Sequence, residues 1–180
     1  MNFIAWTIIA CEIGFWVVIL LGLVTRYIYK KERFGLFFLA LTPVIDLILL
    51  AITSIDLYNG ATATLAHAIA AVYLGSSIAF GKSMIRWADE NFRYYVQKEG
   101  TKPGRKTGME YARQSLKGTL QHLLAYIIGG GLLLLLIYFI DDPSRSEVLW
   151  GTLKIWGLIL GIDFVISISY FIWPRLSKTK

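Results

Sequence analysis

Five apolar stretches, each long enough to cross a bilayer, dominate this chain and fix its fold class before any motif is read. They run from about Phe3 to Val24, Phe34 to Ile55, Ala61 to Met84, Leu120 to Ile140 and Val148 to Trp173. A helix needs roughly 20 residues to traverse the hydrocarbon core. Within lipid every backbone N–H and C=O must be satisfied internally, and an α-helix does so within one segment. The expected architecture is therefore all-α: a polytopic membrane protein, a bundle of five transmembrane helices forming one membrane domain over residues 1–180. Composition agrees, since 56% of the residues are hydrophobic and they fall in nearly uncharged blocks rather than in stripes.

The basic residues give an independent reading of the same count. The loop after the first stretch holds Arg26, Lys30, Lys31 and Arg33, and the tail holds Arg175, Lys178 and Lys180. Between the third and fourth stretches lie Lys82, Arg86, Arg93, Lys98, Lys102, Arg105, Lys106, Arg113 and Lys117. If five helices alternate, 16 of the 18 basic residues share one side. Lysine and arginine mark cytoplasmic loops, so the expectation is a cytoplasmic-membrane protein with its N-terminus outside and its C-terminus inside. The net charge of +6 follows from that bias and calls for no nucleic acid. Membrane lipids are the expected partners, with anionic headgroups near the basic segments, together with a small ion or solute. No positive n-region precedes the first stretch, which reads as a retained helix, and the single cysteine, Cys11, excludes an intramolecular disulfide.

The segment of about 86–119 is expected to be the cytoplasmic connector. Its first half, Arg86 to Tyr95, is rich in aromatics and arginine and continues the third helix past the membrane or lies in the interface. Thr107 with Glu110 fits a capping box, so the fourth helix starts before the membrane. A solvated linker and a docking surface both fit this composition.

No phosphate-cradling loop, His-Glu-x-x-His or nucleophile elbow is present. No catalytic set, metal site or cofactor is expected. What remains is the set of ionisable groups inside the membrane, each costing at least ~2.5 kcal/mol to insert. By helix rise Glu12 lies roughly 14 Å and Asp46 roughly 15 Å from the same membrane face. Should the first two helices bring them together, two carboxyls would share a low-dielectric site, the chemistry of a proton-coupled carrier or a cation site. The alternative is a hydrogen-bonded role in packing. Thr42, Asp46, Thr53 and Asp56 fall along one helical face, beside Pro43, which frees a carbonyl one turn before Asp46. In the third helix His67, Ala70, Tyr73 and Ser77 form a second polar face, and Asp56 stands just across the Asn59-Gly60 turn from His67. That histidine relays protons or simply bonds a carbonyl.

His122 differs from His67 in depth by roughly 20 Å, which argues against two axial ligands to one haem. In the fifth helix Asp163 is the interior candidate, flanked along its face by Trp156, Ser167 and Tyr170, while Lys154 points the opposite way. Gly157-x-x-x-Gly161 permits a homodimer contact. Gly129-Gly130-Gly131 is open between flexibility and close packing.

The run from Gly60 to Gly75, with Gly81, Arg86-Trp87-Ala88-Asp89, Glu12 and the Pro43–Asp46 stretch, resembles a family of small uncharacterised multi-pass membrane proteins of Gram-positive bacteria. The resemblance implies a bacterial cytoplasmic membrane and no residue role. Two functions stand at this point. One is a small carrier or channel-like protein using Glu12, Asp46, Asp56, His67 and Tyr73, with Thr42, Thr53 and Asp163 secondary. The other is a non-transporting adaptor or regulatory subunit using the basic segment. An enzyme acting on lipid lacks a nucleophile set.

Overall fold

The structure, a computed structural model, describes residues 3–95, 98 and 106–174, leaving out the side chains of Phe3, Ile4, Ala5, Ile8 and Glu12. Within that range it is five helices: α1 (Phe3–Tyr27), α2 (Glu32–Tyr58), α3 (Leu65–Tyr95), α4 (Gly108–Ile140) and α5 (Pro143–Ile172). All five contain windows long and apolar enough to cross a membrane. Their outer surfaces carry Trp6, Ile13, Leu20, Phe37, Ile127, Leu135, Leu158 and Val165. Such exposure suits lipid, where packing rather than hydrophobic burial holds helices together.

The helices alternate in direction, so the bundle has two ends. At the Gly60 end lie the α2–α3 and α4–α5 links; the α1–α2 link lies at the opposite, Arg26 end. The boundaries depart from those read in the sequence at the starts of α3 and α5. α3 starts at Leu65, not Ala61, because Gly60 adopts φ +100° and Ala63 N–H donates to the Arg145 carbonyl at 2.9 Å. α4 starts at Gly108, ahead of the apolar block, as expected of a helix that begins before the membrane. Thr107 is its N-cap residue, with extended backbone but no side-chain capping bond; the expected capping box is replaced by a Lys106–Glu110 pair at 2.9 Å. Finally Asp141, in the left-handed region, closes α4, and Asp142 opens α5 at once, accepting from Ser144 N–H with Pro143 in the first turn.

α3 is the spine. Ala68, Ala70, Ala71, Leu74 and Gly75 are buried along it, and small side chains let neighbours approach closely. A Cβ at Gly75 would stand 2.6 Å from the Ala125 carbonyl oxygen, so α3 and α4 meet backbone to backbone. α5 packs on α4 through Trp156 and Tyr126, whose rings meet edge to face at 5.4 Å. α1 packs mainly on α2 and reaches α3 through Phe15–Tyr73 and Tyr27–Phe92 ring contacts. At the Gly60 end Arg145 bridges the two links, donating to the Leu57 carbonyl at 2.6 Å and the Ala61 carbonyl at 2.8 Å. It is a second donor to the Leu57 carbonyl, which also accepts from the Gly60 N–H at 3.2 Å.

Candidate functional site

Pro43 has no N–H to give to the Leu39 carbonyl four residues back. The Thr42 hydroxyl takes that acceptor at 2.9 Å, which is the local role of Thr42. One turn on, Asp46 is only 2% exposed and accepts a hydrogen bond from Ser77 Oγ of α3 at 3.0 Å. Among the described residues no basic side chain comes within the 4.0 Å of an ion pair. An uncompensated charge at such a position is costly. Asp46 lines a cavity of about 140 Å³ between α1, α2 and α3, with Cys11, Phe15 and Trp16 from α1 and Tyr73 from α3. Asp46 and Tyr73, far apart in sequence, are thus brought to one cavity. Glu12 follows Cys11 on α1, but its side chain lies outside the described residues.

Asp56 and His67 form a second, separate place near the Gly60 end, ten residues and so roughly 15 Å along α2 from Asp46. His67 Nδ1 receives the Thr64 backbone N–H at 3.1 Å, with Thr64 Oγ1 at 2.7 Å. A nitrogen that accepts from an amide must be unprotonated in the neutral ring, so the proton sits on Nε2. Nε2 is buried without a hydrogen-bond partner and lies 3.7 Å from Asp56 Oδ2, beyond hydrogen-bond reach. His67 does not line the Asp46 cavity. Thr53 is wholly buried and donates to its own helix at Leu50 O, 3.0 Å away. The polar stripe of α2 therefore divides into two centres and two hydroxyls that serve the backbone.

Asp163 belongs to a third place. Its Oδ2 accepts from Thr119 at 2.7 Å and meets His122 Nδ1 at 2.9 Å; Thr119 also meets Ser167 at 2.6 Å, and Ser167 meets Ser115 at 2.9 Å. This seam between α4 and α5 was readable only in part. Ser115, Thr119 and His122 recur at helical spacing, as do Asp163 and Ser167, yet nothing in the sequence says that the two rows face each other. Gly157, the first glycine of the dimer motif, is used within the chain, its Cβ position 3.0 Å from the Tyr126 hydroxyl, whereas Gly161 faces open space.

A larger groove of about 380 Å³ between α2 and α4 is walled by Leu50, Ile55, Leu132, Leu136 and Phe139, and the Ser54 hydroxyl on its edge is bound to Leu50 O. It offers no chemistry beyond contact with apolar chains. Among the described residues no three His, Cys, Asp or Glu side chains converge as a metal site. The Asp46 cavity joins a buried ionisable group to open space.

Comparison with known proteins gives one full-length relative. An uncharacterised membrane protein of Bacillus subtilis (strain 168), YmcC, is 64% identical over 180 residues, covering 100% of this chain and 97% of that protein. No family model and no solved structure matches the chain.

Proposed function

Since the chain belongs to the family of the uncharacterised Bacillus subtilis membrane protein YmcC, whose name assigns no activity, we propose from the site itself that it is a small carrier or channel-like protein handling a proton or small cation at Asp46. The observation that carries this is a carboxyl in the middle of the bundle, buried, without an ion-pair partner among the described residues, and bordering a cavity. Intramembrane carboxyls placed this way mark ion and proton pathways, because a bound cation or proton supplies the charge balance the protein does not. Asp56 and His67 lie further along, toward the Gly60 end, and at 3.7 Å a proton passes from His67 Nε2 to Asp56 only when the pair closes to hydrogen-bond distance. In this reading the Gly60 end faces outside and the Arg26 end, with its lysines and arginines, faces the cytoplasm.

Purified protein reconstituted into liposomes loaded with a pH-sensitive dye tests it, under a potassium diffusion potential and with sodium and potassium isotopes followed in parallel. Wild type should pass protons or one of the cations, and Asp46→Asn should reduce the flux at least tenfold while eluting as folded protein. Full flux in both Asp46→Asn and Glu12→Gln overturns the proposal.

The adaptor reading has its own support: α3 continues to Tyr95 and its extension is held by Arg26 and Tyr27. It requires that deletion of residues 91–106 abolish function while Asp46→Asn does not.

A further inference from the structure

Lys154 sits at the middle of the membrane, on the exposed face of α5. Among the described residues no carboxylate pairs with it. Its depth follows from its neighbour Leu153, whose Cδ1 lies 3.1 Å from the Cβ position of Gly130 in α4. Gly130 is ten residues from each end of the Leu120–Ile140 apolar block. Both headgroup layers are therefore roughly 15 Å away by helix rise, whereas a lysine stem spans about 6 Å. Snorkelling does not bring this ammonium to water, and a lysine at the centre of a spanning helix is among the costliest groups to insert. Glu147, the acid on the same side of α5, is two turns off and roughly 10 Å nearer the Gly60 end.

The residues around Lys154 form a seam. Glu147, Gly151, Lys154, Leu158, Gly161 and Val165 follow one another in steps of four and three, the spacing that keeps one stripe of a helix facing a partner helix. This stripe is turned away from Leu149, Leu153 and Ser167, which are buried in the bundle. Leu158 and Val165 are 65% and 67% exposed, and a Cβ at Gly151 or Gly161 meets nothing within 4 Å. From this seam and its unbalanced charge we propose that α5 is an assembly surface for a transmembrane helix of a different protein, one that carries a carboxyl at mid-membrane. Ionisable residues within a membrane pair with one another, so the contact relieves a cost that both chains carry alone. The two glycines admit the close approach that holds helices together in lipid. Acyl chains cover the same face but bring no charge to this depth. A second copy docked symmetrically through α5 sets Lys154 against Lys154 at one level, where like charges repel strongly in a low dielectric.

The full chain in phosphatidylglycerol liposomes is titrated with synthetic spanning peptides of alanine and leucine that carry a dansyl group and either Glu or Leu at the centre. Energy transfer from the six tryptophans of the protein reports binding. The Glu peptide should bind saturably and about 3- to 20-fold more tightly than the Leu peptide, the range for one polar contact between helices in lipid. Lys154→Met should remove that advantage, and Gly161→Leu should weaken binding because its side chain fills the seam. Gly14→Leu, at an equally open glycine on α1, should leave binding unchanged. Lys154→Leu combined with Ile155→Lys keeps a lysine on the exposed face but turns it out of the stripe, and it should not bind the Glu peptide. No preference for the Glu peptide, or full binding by Lys154→Met or by the double variant, overturns the assembly surface. Sedimentation of the protein alone in density-matched detergent decides between partners. A monomer leaves the face of α5 to another protein, whereas a dimer that Lys154→Met dissociates puts a second copy there and overturns the proposal.

Discussion

Arg26 of α1 and Asp89 of α3, 63 positions apart, form a two-point ion pair in which Nε donates to Oδ1 at 2.7 Å and Nη2 to Oδ2. Tyr27 donates to the same carboxylate at 2.8 Å and stacks on Phe92 at 4.1 Å. The clamp joins the α1–α2 hairpin to the extension of α3 at the Arg26 end. Planar two-point pairing is a property of arginine that lysine lacks. Asp89→Asn should therefore destabilise the protein by about 1.5–3 kcal/mol, the range for hydrogen bonds to charged groups, and Arg26→Lys should lose a similar share. Thermal unfolding of the purified variants in detergent checks this, and an unchanged midpoint in both would show that the clamp holds nothing.

Gly75 and Gly81 lie on the same helix in opposite circumstances. A Cβ on Gly75 would meet the Ala125 carbonyl oxygen at 2.6 Å and the Gly129 nitrogen at 2.8 Å, both backbone atoms that cannot turn aside; a Cβ on Gly81 meets nothing within 4 Å. Gly75→Ala should push α3 and α4 apart at a cost of about 1–3 kcal/mol. Gly81→Ala should be neutral or stabilising by up to about 1 kcal/mol, since alanine is the better helix former. Unfolding midpoints that move alike in the two variants would contradict the backbone contact.

The fold was largely legible because lipid leaves a chain few options: five apolar blocks had to be five helices. The contacts between helices were less so. Pro43 and Asp46 marked α2 as unusual, and Asp46 does border a cavity. That Tyr73 joins it depends on the rotation of α3, which spacing along one helix does not determine. Asp89 sat in a run read for its aromatics and arginines, and only tertiary packing reveals that its partner is Arg26. The Gly129–Gly131 run was ambiguous in sequence because glycine serves both flexibility and approach. Packing separates its members, with Gly129 against the Ala71 carbonyl and Gly131 in open space. Asp142-Pro143 carries the start signal of α5, directly after Asp141 closes α4.

The α4–α5 seam should depend on its buried hydroxyl more than on its histidine. Thr119 is 3% exposed and touches both Asp163 and Ser167, so Thr119→Val leaves two groups short of a partner. Interhelical hydrogen bonds in membranes are worth about 0.6–1.7 kcal/mol each, and a loss of that order is expected. His122 is half exposed and its ring packs on Phe80 at 4.9 Å. His122→Phe keeps the ring contact and should cost less than Thr119→Val. The reverse order of unfolding midpoints would place the seam's strength at the histidine.

Asp142 gives the α4–α5 turn a pH dependence. Its Oδ1 accepts from the Ser144 hydroxyl at 2.7 Å and from the Ser144 N–H at 2.9 Å. The hydroxyl first, and the amide after it, hold this exposed carboxyl below the usual carboxylate range. A carboxyl that binds its proton less readily folded than unfolded stabilises the fold above its unfolded pKa of ~3.9. That contribution is lost as pH falls through the lower, folded value. Asparagine caps a helix about as well as aspartate but carries no charge to titrate. At pH 7 the wild type should therefore unfold at or above Asp142→Asn, with Asp142→Ala lowest because it lacks the cap. Towards pH 3 the wild type should converge on Asp142→Asn, while Asp142→Ala stays below both. Other carboxyls titrate over the same range, but they cancel in the difference between variants because a distant site adds independently. A gap between wild type and Asp142→Asn that is the same at pH 7 and pH 3 would mean that the turn does not feel the charge.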